Sequence, residues 1–380
     1  MSKKVVVGLS GGVDSAVSAY LLKKQGYDVI AVFMENWDDY LNNDILGHKL
    51  AYENKGCSSK QDFIDASNVA QFLNIPIYKV NFVKEYWNDV FISFLEEYKK
   101  GVTPNPDILC NKFIKFGIFK KYVLKQFEAD FIATGHYANT YVDENNVAHL
   151  LKAKDENKDQ TYFLCDLNNE QLHNVIFPLA NLYKTEVRKI AQEINLPVWN
   201  KKDSTGICFI GERHFSLFLK NYLTSKTGNI IDIKTRKILG THEGTSFYTI
   251  GQRNGLNLGG FHTRYFVCKK DLKNNILYVA SIEDEEKYLL HKFVYIKALN
   301  KININNWNDL NLSVRFRHRQ KLIKCKVILD DLKNNLIIEC ENEVRAITPG
   351  QYAVFYLDDE CIGGGIINNS SKNLQNKLNK

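Results

Sequence analysis

Short apolar runs alternate with helical periodicities through the first half of the chain. The runs at 5–9, 29–34, 77–80 and 131–134 have the length and aliphatic content of buried parallel strands. Between them, apolar side chains recur at helical spacing at Phe63, Ala66, Ala70, Leu73, Val90, Phe91, Phe94, Leu95 and Tyr98. This β-α-β-α order predicts an α/β fold with a doubly wound, mostly parallel sheet.

The second half of the chain has a different pattern. From about residue 227, short β-rich runs separated by Gly and Asn occur at 230–233, 246–250 and 265–268. After about residue 287, clearer alternation follows at 314–319, 326–329, 336–340 and 353–357, which is typical of a small barrel or sandwich. We therefore predict a catalytic domain at 1–222, a small central domain at 223–286 and a C-terminal β-barrel at 287–380.

Composition limits the class of protein. A length of 380 residues with 44% hydrophobic and 24% charged residues suits a globular protein of two or three domains. No apolar stretch is long enough for a signal peptide or a membrane span, so we expect a cytoplasmic protein with no membrane partner. None of the eight cysteines forms Cys-x-x-Cys, which argues against a zinc ribbon, and we expect no resident metal site. The net charge of +7 permits a polyanionic partner without requiring one.

The most informative motif is the hexapeptide 10–15, Ser-Gly-Gly-Val-Asp-Ser, directly after the first predicted strand. A strand that enters a Gly-Gly turn and then a helix presents backbone N–H groups and a helix dipole to an anion. No Lys precedes the last Ser, unlike the loop that cradles a transferable terminal phosphate. The motif therefore predicts ATP cleavage at the α-phosphate with release of pyrophosphate. Met34 and Gly135 follow two other strands and fall at the same sheet edge.

A second candidate segment runs from Thr103 to Lys112 and contains Cys110. Asn105 or Asp107 can cap the helix that follows, which places Cys110 near the helix start, where the dipole favours a thiolate. Asp107 lies three residues earlier and could accept or donate a proton. The alternative is that Asp107 is only a cap and Cys110 a small buried apolar residue.

A third segment, 201–213, carries Cys208 in a loop flanked by lysines and Arg213. Nearby cations lower the pKa of a thiol, which suits a cysteine that carries sulfur as a persulfide. The alternative is an inert packing cysteine.

Taken together, these segments resemble the tRNA-specific 2-thiouridylases, a family of the ATP-pyrophosphatase (PP-loop) superfamily with a Rossmann-like adenine nucleotide α-hydrolase fold. The resemblance covers nearly the whole chain. It is carried by residues 8–15, 85–87, 103–112, 132–137, 158–160, 202–213, 251–253 and 346–356. It implies that ATP binds Gly8, Leu9, Ser10, Gly11, Gly12, Val13, Asp14, Ser15, Met34 and Gly135.

The resemblance also implies a chemistry. ATP, with magnesium, would adenylate the C2 carbonyl of the wobble uridine at tRNA position 34, so that AMP becomes the leaving group. Cys208 would carry a transient persulfide, and Cys110 would release its sulfur and form a redox-active disulfide with Cys208, while Asp107 assists proton transfer. The implied partners are the tRNA anticodon loop, a cysteine desulfurase or sulfur-relay protein, and a thiol reductant. No tightly bound cofactor is expected.

Ten residues are implied to contact tRNA. They are Asn105, Pro106 and Asp107 at the target base, with His136, Lys158, Asp159, Gln160, Arg317, His318 and Gln351. In addition, Arg315, Arg317 and Arg319 alternate, so we expect one strand to present three guanidinium groups on one face. The alternative for this strand is an ordinary solvated face.

Two other functions are compatible with the motifs. One is an RNA-binding module with a vestigial nucleotide pocket, which would bind tRNA with steep salt dependence but produce no AMP. The other is a PP-loop synthetase or thiolase that acts on another substrate, although no glutaminase segment accompanies the loop.

Overall fold

The computed structural model describes residues 2–39, 41–44, 58–203, 215–304, 306–308, 310–330 and 335–374. Cys208, and with it most of the third candidate segment, lies outside these residues. Within the described part of the chain, no helix is both long and apolar enough to span a membrane.

The first half of the chain forms the predicted parallel sheet, in the order β3-β2-β1-β4-β7. Its strands are β1 (Lys4–Gly8), β2 (Asp28–Glu35), β3 (Ile77–Asn81), β4 (Phe131–Ala133) and β7 (Val175–Ile176). Alternate side chains of β1 enter two different cores, with Val5 and Val7 on one face and Val6 on the other. Burial on both faces explains why the sequence of β1 is continuously apolar.

Helices cover this sheet. They are α1 (Val13–Lys24), α2 (Ser58–Leu73), α3 (Val83–Tyr86), α4 (Ile92–Lys99), α5 (Pro106–Leu109), α6 (Lys120–Gln126), α7 (Asn169–Leu172), α8 (Lys184–Glu193) and α9 (Phe215–Lys220). Two π-helical stretches, Trp87–Phe91 and Cys110–Phe119, join α3 to α4 and α5 to α6. Such stretches widen the helix locally and are frequent at functional sites.

The other two units are β-rich, as predicted. The central one is a four-stranded sheet of β8 (Gly228–Asp232), β9 (Ile238–His242), β10 (Tyr265–Asp271) and β11 (Ile276–Ser281), followed by the short helix α10 (Glu285–Tyr288). The last one contains β12 (Leu290–Lys301), β13 (Leu312–Arg315), β14 (Ile323–Asp330), β15 (Leu336–Arg345), β16 (Tyr352–Leu357) and β17 (Glu360–Ser371). Pairing of β12 with β17 closes these six strands into a barrel. The predicted domain boundaries after residues 222 and 286 stay predictions.

A hairpin in the first half of the chain, which is called the catalytic half below, joins the barrel sheet. The sequence pattern did not predict this feature. Strands β5 (Asn139–Val142) and β6 (Ala148–Leu151) pair with each other, and Leu151 of β6 pairs with Glu360 of β17. The hairpin therefore couples the catalytic half directly to the barrel.

Two predicted strands are wrong. Residues 246–250 contain a 3-10 turn, Thr245–Phe247, instead of a strand. The strand predicted at 314–319 ends early, because β13 stops at Arg315. Beyond it, Arg319 has a positive φ of 66°. Because extended backbone stops at Arg315, the three arginines do not share one strand face.

A buried joint connects the barrel to the catalytic half. Asp159 accepts from Nη1 of Arg315 at 3.1 Å and from Oγ1 of Thr161 at 2.8 Å, and all three side chains are buried. The Tyr162 hydroxyl donates to the carbonyls of Phe316 and Tyr352, both at 3.2 Å. These contacts satisfy polar groups that burial would otherwise leave unpaired, so they fix how the two units meet.

We predict that Arg315→Met lowers the melting temperature strongly. The substitution leaves Asp159 buried without its cation, and removal of one partner from a buried pair costs about 3–5 kcal/mol. The matched control is Lys189→Met, because Lys189 pairs with Glu193 at the surface, where the side chains are 76% and 60% exposed. Thermal unfolding followed by circular dichroism measures both variants. Equal, small shifts would contradict the role given to Asp159 and Arg315.

Candidate active site

The hexapeptide loop lies at the point where the sheet reverses its strand order. Strand β1 is central, with β2 on one side and β4 on the other, and the loop leaves β1 at Gly8. Gly12 caps α1 and offers no side-chain acceptor to the first-turn N–H groups. A crevice at this position, with helical N–H groups at its base, is the usual phosphate site of doubly wound sheets.

Two glycines give the loop its shape. Gly11 has a φ of 77°, and a Cβ atom there would lie 2.3 Å from the carbonyl oxygen of Asp62. A Cβ atom on Gly135 would lie 2.7 Å from the amide nitrogen of Ser15. The chain after β4 therefore packs directly on the first turn of α1, as the convergence of Gly135 with the loop predicted.

Hydroxyl groups hold the loop together. The Ser15 hydroxyl donates to the carbonyl of Gly12 at 3.0 Å and accepts from the Ser10 amide at 3.1 Å. Met34, at the end of β2, is buried beside Gly8, with its Cε atom 3.5 Å from the position that a Cβ would take. This apolar wall suits a nucleobase.

The loop carries a charge network that the sequence reasoning missed. Nζ of Lys184 lies 2.7 and 2.8 Å from the two carboxylate oxygens of Asp14, and 2.8 Å from Oδ1 of Asp203. The Tyr137 hydroxyl donates to Asp14 at 3.0 Å, and Nζ of Lys158 lies 2.8 Å from Asp203. Burial raises the pKa of Asp203, but hydrogen bonds from Lys158 and Lys184 more than offset this effect and hold its pKa below the ordinary value.

One signal could have revealed Lys184. It is the first residue of α8, and a cation at a helix N-terminus opposes the helix dipole. A lysine at such a position is favoured only if another group compensates it. Here Asp14 and Asp203 do so.

Lys201 is a second missed cation at the loop. Its Nζ donates to the Gly11 carbonyl at 3.1 Å and to Asp62 and Asp65 of α2 at 2.8 and 2.5 Å. Burial lowers the pKa of Lys201, but hydrogen bonds to the two aspartates outweigh burial and raise it. Lys201 thus ties α2 to the backbone of the loop.

The Cys110 segment has the predicted cap. The side chain of Asn105 accepts from the amides of Asp107 and Ile108 at 3.2 and 3.4 Å, and Pro106 occupies the first helical position. Cys110 follows directly after this one-turn helix and is fully buried within the apolar core. Its thiol must become exposed before it can react, and its catalytic role stays a prediction.

His318 lies against the backbone of Asp159 and the ring of Phe163. Burial lowers the pKa of His318, and the hydrogen bond to the Asp159 carbonyl opposes this shift in part. His318 Nε2 donates to the Asp159 carbonyl at 3.1 Å, and the ring lies 4.6 Å from that of Phe163. The His318 imidazole is thus held at Asp159, and its contact with tRNA stays a prediction.

The other predicted tRNA contacts are engaged within the protein. Gln351 Nε2 donates to the Thr103 carbonyl at 2.7 Å, and Gln160 Oε1 accepts from the Tyr137 amide at 2.9 Å. His136 is buried, and its Nδ1 atom lies 2.8 Å from Oγ1 of Thr134. Burial holds the pKa of His136 well below the ordinary value.

The two remaining contacts in this set also have internal partners. Arg317 Nη2 donates to the carbonyls of Ile250 and Ala346 and to Thr348 Oγ1, at 3.1, 2.9 and 3.0 Å. The Asp159 carboxylate is buried and forms an ion pair with Arg315, so in this structure it connects the barrel to the catalytic half. For all these residues, contact with tRNA stays a prediction.

Comparisons with known proteins agree with this geometry. Family models match residues 3–212 (tRNA methyl transferase HUP domain), 216–281 (tRNA methyl transferase PRC-barrel domain) and 285–367 (aminomethyltransferase beta-barrel domain). A tRNA-specific 2-thiouridylase MnmA of Ureaplasma urealyticum is 52% identical over 98% of this chain and 97% of its own length. The protein of the same name from Malacoplasma penetrans is 54% identical over 96% of this chain and 98% of its own.

This chain belongs to the tRNA-specific 2-thiouridylase MnmA family. A third member, from Metamycoplasma arthritidis, is 53% identical over 97% of both chains. Among solved structures, an NMN synthetase from Francisella tularensis aligns with 53% of this chain and 66% of its own at 18% identity. Its TM-score of 0.31 is too low to support an argument.

We predict that Gly135→Ala weakens ATP binding about tenfold or more, equivalent to about 1.4 kcal/mol. The added methyl group would push on the amide of Ser15 and move the first turn of α1. Gly259→Ala is the matched control, because a Cβ atom there has no neighbour within 4 Å. Isothermal titration with ATP compares the variants, and a thermal melt verifies folding. If both bind ATP like the parent, close packing at Gly135 does not shape the site.

We also predict that Lys184→Met weakens ATP binding by about 10- to 150-fold, the range given by loss of one charge-assisted hydrogen bond of about 1.5–3 kcal/mol. The phosphates would attract this ammonium away from Asp14. Lys189→Met, on the exposed side of the same helix, should bind ATP normally. Unchanged affinity in Lys184→Met would remove Lys184 from the phosphate site.

Proposed function

We propose that this protein is a tRNA 2-thiouridylase. It uses ATP to replace the C2 oxygen of the wobble uridine, at position 34, by sulfur and yields 2-thiouridine, AMP and pyrophosphate. The observation that carries the proposal is the match along almost the entire chain to proteins named tRNA-specific 2-thiouridylases. The glycine loop at the switch point of the sheet supports it, because adenylation requires such a phosphate site.

The activation step uses the loop at 10–15. The C2 carbonyl oxygen attacks the α-phosphorus of ATP, and the bond to the β-phosphate oxygen breaks, so that pyrophosphate leaves. The first-turn N–H groups of α1 and the ammonium of Lys184 would stabilise the charge on the departing phosphates. Lys201 would keep the loop in place through the Gly11 carbonyl.

Magnesium fits this site as a companion of the nucleotide. Its preferred ligands are oxygen atoms, which the phosphates supply, and Asp14 is the protein carboxylate at the loop. Bound there, the ion would neutralise phosphate charge. Both oxygens of Asp14 contact Lys184, so this ammonium and the ion would compete for them.

The sulfur step joins Cys208 and Cys110. The terminal sulfur of a Cys208 persulfide bonds to C2, and AMP leaves with the original oxygen. The thiolate of Cys110 attacks the inner sulfur of Cys208, the persulfide S–S bond breaks, and a disulfide remains. Alternatively, Cys110 first releases hydrosulfide, which then attacks C2. Either route needs a desulfurase or relay protein as sulfur donor and a thiol reductant that supplies two electrons.

Recognition of the tRNA would centre on the Asn105–Asp107 turn. Adding sulfur to a base requires the base to leave its stack, which costs least in a single-stranded loop. Asp107 would assist proton transfer at the target base, and His318 would contact the tRNA. His136, Lys158, Gln160, Arg317 and Gln351 would contact the surrounding nucleotides.

One assay separates this function from the alternatives. Purified protein is incubated with unmodified tRNA, ATP, magnesium and a persulfide donor, and AMP and thiolated nucleosides are quantified. We expect AMP and 2-thiouridine in equal amounts. AMP without thiolation, despite a competent donor, would contradict the sulfur step, and tRNA binding without AMP would indicate a vestigial nucleotide pocket.

We predict that Cys208→Ser abolishes thiolation yet leaves the affinities for ATP and tRNA intact. Cys110→Ser should also block turnover, although external sulfide should restore part of it because the sulfur no longer has to be released from a persulfide. Buried Cys325→Ser, in the barrel, is the control for loss of a thiol. Full turnover by Cys208→Ser would remove this cysteine from the mechanism.

A further inference from the structure

A cavity of about 290 Å³ lies where the three units of the chain meet. Residues 100–103 line it from the catalytic half, 268–270 from strand β10 of the central sheet, and 346–349 from the barrel side. Two segments singled out in the sequence, 103–112 and 346–356, each contribute part of the lining, but the sequence motifs gave Lys270 no role.

The described residues that line the cavity include three lysines and no acidic residue. The lysines are Lys100, Lys269 and Lys270. Lys100 is largely neutralised, because its Nζ pairs with Glu97 at 2.7 Å. The Lys269 ammonium lies 5.8 Å from the centroid of the Tyr278 ring, and Tyr278 does not line the cavity.

Lys270 is the unusual member. Its Nζ is buried and has no hydrogen-bond partner in the described structure. By contrast, the buried ammonium of Lys120 donates to three backbone carbonyls, at 2.8, 3.1 and 2.6 Å. Burial lowers the pKa of Lys270 to about 8, so most of these side chains still carry a charge at neutral pH.

A buried, unpaired ammonium is costly, and proteins normally pair such a group or use it to bind a ligand. The polar residue Asn369 also lines the cavity, whereas the lining hydroxyls of Thr348 and Ser370 already contact Arg317 and His291. We propose that this cavity binds a phosphate group, with Lys270 as the cation that it pairs with. In this proposal the Lys270 ammonium, which is buried in the described structure, turns toward the bound anion.

The position of the cavity relates it to the predicted tRNA contacts. Thr103 lines it, and Gln351 donates to the Thr103 carbonyl at 2.7 Å. Arg317 donates to Ala346 and Thr348 on another wall. The phosphate is therefore either a phosphodiester of bound tRNA, which rests on the proposed function, or a free phosphate ion, which does not.

The experiment compares Lys270→Met with Lys273→Met in the full-length protein. Methionine keeps the aliphatic bulk and removes the charge, and Lys273 is an exposed residue three positions away that does not line the cavity. Isothermal titration measures binding of inorganic phosphate, and filter binding measures unmodified tRNA across a salt series. Thermal unfolding checks that both variants fold. Loss of an unpaired buried ammonium should not destabilise Lys270→Met.

We expect Lys270→Met to lower the affinity for phosphate, for tRNA or for both by tenfold or more. The affinities of Lys273→Met should equal those of the parent protein. Loss of phosphate binding identifies a free-ion site. If only the affinity for tRNA falls, and the slope of log affinity against log salt concentration becomes smaller by about one, the ligand is a phosphodiester. Unchanged affinities for both ligands, or equal losses in the two variants, would overturn the proposal. No turnover is measured, so this result is independent of the thiolation assay.

Discussion

The buried ion pair between Asp159 and Arg315 is the constraint on which the rest of the site depends. It joins two units that could otherwise move against each other, and neither charge can be removed without leaving the other uncompensated. The position of a neighbouring side chain depends on it, because His318 donates a hydrogen bond to the backbone carbonyl of Asp159. The barrel half therefore holds the His318 imidazole at the Asp159 backbone.

A charge network also links the phosphate loop to Asp203, at the start of the sequence segment that contains Cys208. Asp203 holds Lys158 and Lys184, and it accepts from Arg188 at 2.5 Å. Lys184 in turn holds Asp14 of the phosphate loop. Asp203 lies only five positions before Cys208 in the sequence. The segment that leads to the proposed persulfide thus starts at the phosphate loop, which suits a mechanism in which activation and sulfur delivery act on the same carbon atom.

The sequence was informative wherever one local pattern had one structural solution. Continuous apolar runs predicted β1 and β2 within one or two residues, and Asn105 was predicted as a possible cap because its side chain acts over two or three positions. It failed where distant segments decide the outcome. Lys184 meets Asp14 across 170 positions, a contact that no local pattern predicts. The alternation of Arg315, Arg317 and Arg319 was misleading because the tertiary fold ends β13 after the first of them.

The shared core has a consequence for the order of events during synthesis. Tyr352, Val354 and Tyr356 of β16 pack in the same core as Tyr162 and Cys110. Tyr162 also bonds to a carbonyl 190 residues further along the chain. A ribosome therefore releases the parallel sheet long before the strands that complete its neighbour, and domains generally fold as they emerge. We therefore expect the nascent first half of the chain to keep an open apolar flank until the barrel strands that cover it have been synthesised.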